Sequence, residues 1–499
     1  MDLFRTKSIE QSLKDTDEPE YQLKKSLTAL DLTVFGVGVI VGAGIFTLTG
    51  RAANQVAGPA VVISFVVAAI CCGLAALCYA EFAAAVPVSG SAYTFSYASM
   101  GEFIAWIIGW DLILELFLAA AVVAQGWSAY VGVLLGHMGI TLPANYTYGG
   151  AVDVPAMLLV LVLGVLVLVG IKESMRVETV LVAVKVAIVL FVIVAGIGFI
   201  NTANYHPYIP PSVPIEGTAG FWKQPLIQWA FGFQPTAFGV GGIFAGAALV
   251  FFAYIGFDVV ATAAEETKNP QRDLPRGILG SLVICTLLYC AVSVVVTGMV
   301  RYDQLKPSAA LAEAFSYHGK TWMATLIATG AVVGLTTVVL TMMTGCVRLL
   351  FAMSRDNLLP MGLAKVHPKY RTPWVITAII TVVVALMAGF TPVGNLEEMV
   401  NIGTLSAFVL VSIGIPIMRR THPDLHRPFR VPFSPVVPIL SAIICSYLML
   451  NLAIETWARF VIWLAIGLVV YFAYGYRKSR VRTGKQLPHE LEVALTENH

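Results

Sequence analysis

The stretch Phe35-Gly36-Val37-Gly38-Val39-Ile40-Val41-Gly42-Ala43-Gly44-Ile45-Phe46 decides how this chain is read. It lies inside an apolar run long enough to cross a bilayer, yet four of nine consecutive positions are glycine. Each glycine weakens a helix by up to about 1 kcal/mol relative to alanine. In lipid, broken backbone is tolerated only where it is buried in protein or lines a wet cavity. The run therefore predicts either a helix opened for a purpose or a small-residue surface for close helix packing. A dinucleotide-binding loop would need a preceding strand, and none precedes it.

Working outward, the whole chain has the composition of a membrane protein. Of its 499 residues 58% are apolar and only 12% charged, where soluble domains carry about a quarter charged residues. A bilayer core needs about 20 apolar residues per helix. Twelve such runs can be marked: 30–53, 59–86, 103–135, 154–171, 177–200, 239–264, 275–300, 322–353, 374–390, 400–418, 436–452 and 457–476. With the amino terminus inside, the inner segments hold 23 of the 31 Lys and Arg and the outer ones six. That asymmetry predicts both termini in the cytoplasm.

The first 25 residues, polar and mixed in charge, read as a cytoplasmic tail and lack the pattern of a cleavable signal peptide. A net charge of +2 gives no pull toward nucleic acid. All seven cysteines fall within apolar runs at spacings that suit neither zinc nor a disulfide framework, so they read as small buried hydrophobes. Asn145-Tyr146-Thr147 is a formal glycosylation sequon, read as chance. The loop 201–238 is expected to form an external cap.

Helix 6 carries a counterpart to the first motif, Phe251-Phe252-Ala253-Tyr254-Ile255-Gly256-Phe257-Asp258. Glycine-interrupted helices at matching places in two halves point to a transporter with its substrate at the midplane. Freed N–H groups at a half-helix start suit a carboxylate, and freed carbonyls at a half-helix end suit an ammonium. Lys185 stands eight residues into helix 5, about 12 Å deep at 1.5 Å per residue. That is too far for its stem to snorkel out. Burial disfavours a lone ammonium, so such a lysine can take up and release a proton. Glu81, Glu102, Asp111, Glu115 and Asp258 also lie in or near the spans. Asp111 and Glu115 share a face of helix 3, and Glu115, the deeper, is the expected partner of Lys185. In helix 8, Met342 and Met343 are candidate pocket or core residues. Thr336, Thr337, Thr341 and Thr344 are expected to bond back to their own helix.

Eight stretches carry a family resemblance: Gly42–Phe46, Cys78–Phe82, Pro87–Tyr93, Gly109–Glu115, Phe251–Asp258, Glu265–Asp273, Ser354–Asp356 and Asn401–Leu405. Together and in order, they make the chain resemble the amino acid–polyamine–organocation superfamily, and within it the bacterial relatives of the cationic amino acid transporters. The resemblance implies an all-α integral membrane protein of the leucine-transporter type. Helices 1–5 (28–200) and 6–10 (239–419) would form inverted repeats, with helices 1 and 6 unwound. Peripheral helices 11–12 (420–477) and tails at 1–27 and 478–499 would complete it. It also implies a substrate site built from Ile40, Val41, Gly42, Ala43, Gly44 and Ile45 with Phe252, Ala253 and Ile255. The backbone at 42–44 would take the carboxylate, and carbonyls near Ile40 and 252–255 the amino group. Lys185 matches the lysine whose protonation replaces a sodium ion in the family. Two departures stand out: the loop between helices 5 and 6 is longer than expected, and residue 43 is Ala where a hydroxyl is common.

The expected function is proton-coupled import of L-amino acids across the cell membrane, with Lys185 and Glu115 handling the proton and no metal, cofactor or enzymatic step. Met342 would make the pocket short and apolar, favouring small neutral substrates over extended cations. An amino acid exchanger or a cationic amino acid transporter on the same fold is the alternative. A channel or sensor is more remote, since neither a charged ring nor a soluble ligand domain is present. A monomer is compatible with this reading, as is a small accessory membrane subunit.

Overall fold

The computed structural model describes residue 5 and residues 27–85, 91–170, 175–214, 221–232, 236–264, 267–370 and 372–483. Most of the expected tails, and motif residues 87–90 and 265–266, lie outside these. Among the described residues, eight helices are long and apolar enough to cross a membrane, and four shorter apolar helices accompany them.

In chain order, α1 is Ala29–Ile40, resuming as Gly44–Leu48, Thr49–Ala52 and Ala53–Ala57. Then come α2 (Val61–Ala85), α3 (Glu102–His137), α4 (Val154–Val169) and α5 (Met175–Ile197). The second half begins with α6, which is Gly239–Val250 followed by the tighter turns Phe251–Tyr254 and Asp258–Ala263. It continues through α7 (Pro270–Met299), α8 (Thr321–Arg355), α9 (Trp374–Phe390) and α10 (Val393–Thr421). Two helices close the chain, α11 (Val436–Leu450) and α12 (Ile454–Val470). The helices follow the apolar runs to within a few residues, with one informative exception. α10 begins seven residues before its expected start at Val400, taking in Glu397 and Glu398. Both acids are satisfied inside the fold: Glu397 by an ion pair with Arg51, and Glu398 by the Thr456 hydroxyl at 2.5 Å.

The long α3 is the central post, with α8, α10, α9 and α4 packed on it, while α7 lies against α1 and α2. α12 is fastened to α3 by stacked indoles: the Trp110 and Trp463 rings lie 4.5 Å apart. Trp106 and Trp110 also donate to the Gly467 and Trp463 carbonyls at 3.0 and 2.9 Å. In its described parts, loop 201–238 holds short turns, a six-residue helix (Leu226–Phe231) and a two-residue antiparallel ribbon pairing β1 (Val213–Pro214) with β2 (Thr236–Ala237). It reaches α7 through Tyr205, which donates to the Val294 carbonyl, and α12 through Ile454, whose N–H donates to the Gln224 carbonyl. The seven cysteines are free, six of them fully buried. As expected, Thr336, Thr341 and Thr344 of α8 each donate to the carbonyl four residues back, and Thr337 to the one three back.

Candidate functional site

Both glycine-marked helices break, and the breaks meet. In α1 the regular helix ends at Ile40, Val41 leaves helical geometry (φ −71°, ψ 89°), and winding resumes at Gly44. In α6 the chain tightens at Phe251–Tyr254, Ile255 is extended, and Gly256 takes φ +113°, a conformation that only glycine adopts easily. A Cβ on Gly256 would also lie 2.6 Å from Val39 of α1. One on Gly44 would collide with Cα and Cβ of Ala253. Gly44 is therefore a close-packing glycine between the two broken segments, whatever else its backbone does. Gly42 is different: a Cβ there would sit 3.4 Å from Val338 of α8, an ordinary contact. Ile40, Val41, Ala43, Ile45, Phe252, Ala253 and Ile255 are all buried around this junction.

The broken backbone leaves carbonyls without helical partners, and side chains from the scaffold take them. Tyr289 of α7 reaches both breaks at once: its hydroxyl lies 2.8 Å from the Ile40 carbonyl and 2.9 Å from that of Ala253. Asn401 of α10 donates to the Ala248 carbonyl at 2.8 Å, just before the α6 break. The Lys185 ammonium is 2.9 Å from the Gly38 carbonyl of α1, and the residue is 3% exposed. Its stem lies over Gly334 of α8, where a Cβ would come within 2.9 Å of Lys185 Cγ. Beside it, Gly38, Val39, Thr337 and Thr341 border a cavity of about 10 Å³, room for about one water. Neither Tyr289 nor Asn401 was singled out from sequence as a site residue. The cue for Tyr289 was a polar tip within an apolar run, and Asn401 opened one of the stretches that carry the family resemblance.

Glu115 does not partner Lys185. It lies buried on α3 near Asp258 and Asp111, and no ion pair joins it to Lys185 among the described residues. Asp111 in turn accepts from Ser406 of α10 at 2.6 Å. Lys185 stands on α5 against α1 and α8, while the acids gather where α3 meets α6 and α10, so the two sets face different interfaces. Met342 is buried one turn beyond Val338, on the face of α8 that meets Gly42.

Ion pairs and hydrogen bonds close the bundle at both ends. At one, Arg51 of α1 pairs with the buried Glu397 of α10. At the other, the buried Glu81 of α2 accepts two bonds from Arg419, at 2.9 and 2.6 Å, and one from the Val431 N–H at 2.6 Å. Nearby, Tyr93 donates to Asp356 at 2.8 Å. Two opened helices, joined within a bundle tied at both ends, fit a multi-pass helical membrane transporter.

Comparison with known proteins specifies the class. The family model described as amino acid permease matches residues 27–472. The chain is 45% identical over 488 residues to the branched-chain amino acid permease BcaP of Bacillus subtilis, covering 96% of this chain and 99% of that protein. It is 43% identical over 483 residues to the methylthioribose transporter of Bacillus subtilis, covering 96% and 98%. To the vacuolar cationic amino acid transporter 4 of Arabidopsis thaliana it is 37% identical over 428 residues, covering 85% and 68%. The chain belongs to the amino acid permease family, and amino acid transport is its function.

Proposed function

We propose that this chain imports small neutral L-amino acids together with protons, by alternating access. In this reading α1–α12 are twelve membrane spans with both termini in the cytoplasm. Residues 28–200 and 239–419 are inverted repeats, residues 420–477 form the peripheral helices, and no cofactor is needed. The observation that carries the proton-coupling proposal is the Lys185–Gly38 hydrogen bond, which ties α5 to the half of α1 leading into the break. A charge-assisted hydrogen bond is roughly twice as strong as a neutral one. Loss of the Lys185 proton therefore loosens this tie and frees α1 to move. Glu115, beside Asp258 at the end of the α6 break, is the second proton-handling group.

The substrate carboxylate meets the backbone at Gly42–Gly44. The ammonium takes the Ile40 and Ala253 carbonyls as the Tyr289 hydroxyl yields them. The surrounding Val41, Ile45, Phe252, Ile255 and Met342 are buried and apolar, which suits alanine and modest apolar side chains. A relative named for branched-chain amino acids is consistent with that preference.

The test is uptake of labelled alanine, leucine and arginine by the purified protein in liposomes, acidic outside. Accumulation of alanine or leucine that collapses with the pH gradient is expected. Uptake that appears only when liposomes are preloaded with amino acid would make the protein an exchanger instead.

A further inference from the structure

At the N-terminal end of α7, away from the helix breaks, a groove of about 400 Å³ opens between that helix and the loop leading to α11. Arg272, Pro275, Arg276 and Leu279 line one side, and Pro428 and Phe429 the other. Arg272 and Arg276 are one helical turn apart and both exposed, so their guanidiniums share a face. Arg272 has a distant contact with Asp273, at 3.9 Å, and Arg276 has no ion pair among the described residues. Arg430, also exposed, stands next to the Phe429 lip.

Below the arginines the same stripe of α7 continues with Val283 and Leu287, 58% and 66% exposed. Beyond the other lip, Phe433 and Val436 are 83% and 64% exposed. In a protein of this family those outward apolar side chains face lipid. Guanidinium forks match phosphate oxygens, and basic pockets at the membrane boundary hold anionic head groups. A soluble anion would need the arginines but not the hydrocarbon-facing stripe beneath them.

We propose that this groove binds the phosphate head group of an anionic phospholipid, with the acyl chains lying along Val283 and Leu287. The lipid then bridges α7, which carries Tyr289, to the loop that Glu81 holds through Val431.

The full-length protein, stripped of lipid in neutral detergent, is titrated with phosphatidylglycerol, phosphatidylcholine or inorganic phosphate while its thermal midpoint is followed. Phosphatidylglycerol alone is expected to raise the midpoint. Arg272→Gln with Arg276→Gln is expected to weaken that response about 30-fold in lipid concentration, roughly fivefold per guanidinium. Arg276→Glu alone, a change at an exposed position, should weaken it as well. A control pair elsewhere on the surface, Arg477→Gln with Lys478→Gln, should leave it intact. The proposal is overturned if the groove variants respond like the parent, if the control pair loses the response equally, or if inorganic phosphate gives the same rise.

Discussion

Adding one methyl group at Gly44 separates packing from recognition at the helix junction. A Cβ there overlaps both Cα and Cβ of Ala253 and comes within 3.2 Å of its amide nitrogen. Neither segment is free to slide away. α1 is held through Gly38 by Lys185 and through Ile40 by Tyr289; α6 is held through Ala253 by the same tyrosine and through Ala248 by Asn401. Forcing a methyl group into such a contact costs about 1–3 kcal/mol, a shift of roughly 5- to 150-fold against the closed packing. Replacing glycine by alanine also restricts the unfolded chain, which stabilises by about 0.4–1 kcal/mol. Gly42→Ala shares that gain but meets Val338 at an ordinary 3.4 Å, so comparing the two variants cancels the unfolded-state contribution. Thermal unfolding of both purified variants should place the Gly44→Ala midpoint clearly below that of Gly42→Ala. Adding Ala253→Gly should restore only part of the difference, because the Cα overlap remains. A Gly44→Ala midpoint equal to or above that of Gly42→Ala would refute the packing role.

Lys185→Ala should abolish uptake driven by a pH gradient while sparing exchange or binding; wild-type gradient-driven rates would rule out its coupling role. Tyr289→Phe leaves the Ile40 and Ala253 carbonyls without their hydroxyl, at a cost of about 1–3 kcal/mol. It should lower the thermal midpoint, and an unchanged midpoint would mean the hydroxyl contributes nothing to holding the breaks together. Met342→Ser shortens an apolar side chain and supplies a hydroxyl, so the variant should gain arginine binding while retaining alanine. An unaltered competition profile in a folded variant would take Met342 out of the pocket.

The two helix breaks were legible because glycines clustered within an apolar helix carry a cost that demands a structural reason. Gly256 meets that demand with its positive φ, and Gly44 with its approach to Ala253. Lys185 was legible for a similar reason, since a charge that deep cannot reach water. Its partner was not, because the Gly38 carbonyl is a backbone atom, and side-chain identities say nothing about which carbonyl a lysine will meet. The choice of Glu115 failed on that point: sequence offered only side-chain acids as candidates. Arg51 and Glu397 were missed differently. One looked like an outer-loop charge and the other lay before the apolar run assigned to α10, so nothing local indicated that the two would satisfy each other across the bundle.

These ties also constrain how a substrate can act. The carbonyls proposed to take the amino group, those of Ile40 and Ala253, share the single hydroxyl hydrogen of Tyr289, so on that reading an arriving ammonium would exchange with a hydroxyl. The net gain at that subsite is the difference between a charge-assisted and a neutral hydrogen bond. A ligand shifts a conformational equilibrium only by its differential affinity for the two states. Because Tyr289 stands on α7 and its acceptors lie on α1 and α6, its displacement releases both broken helices from one scaffold contact. Lys185 holds α1 from α5 independently, so in the proposed mechanism losing its proton and displacing Tyr289 would loosen the same half-helix by separate routes. In the proposed mechanism, binding and deprotonation would thus act additively on one half-helix, so that two weak events together would drive a motion that neither would drive alone.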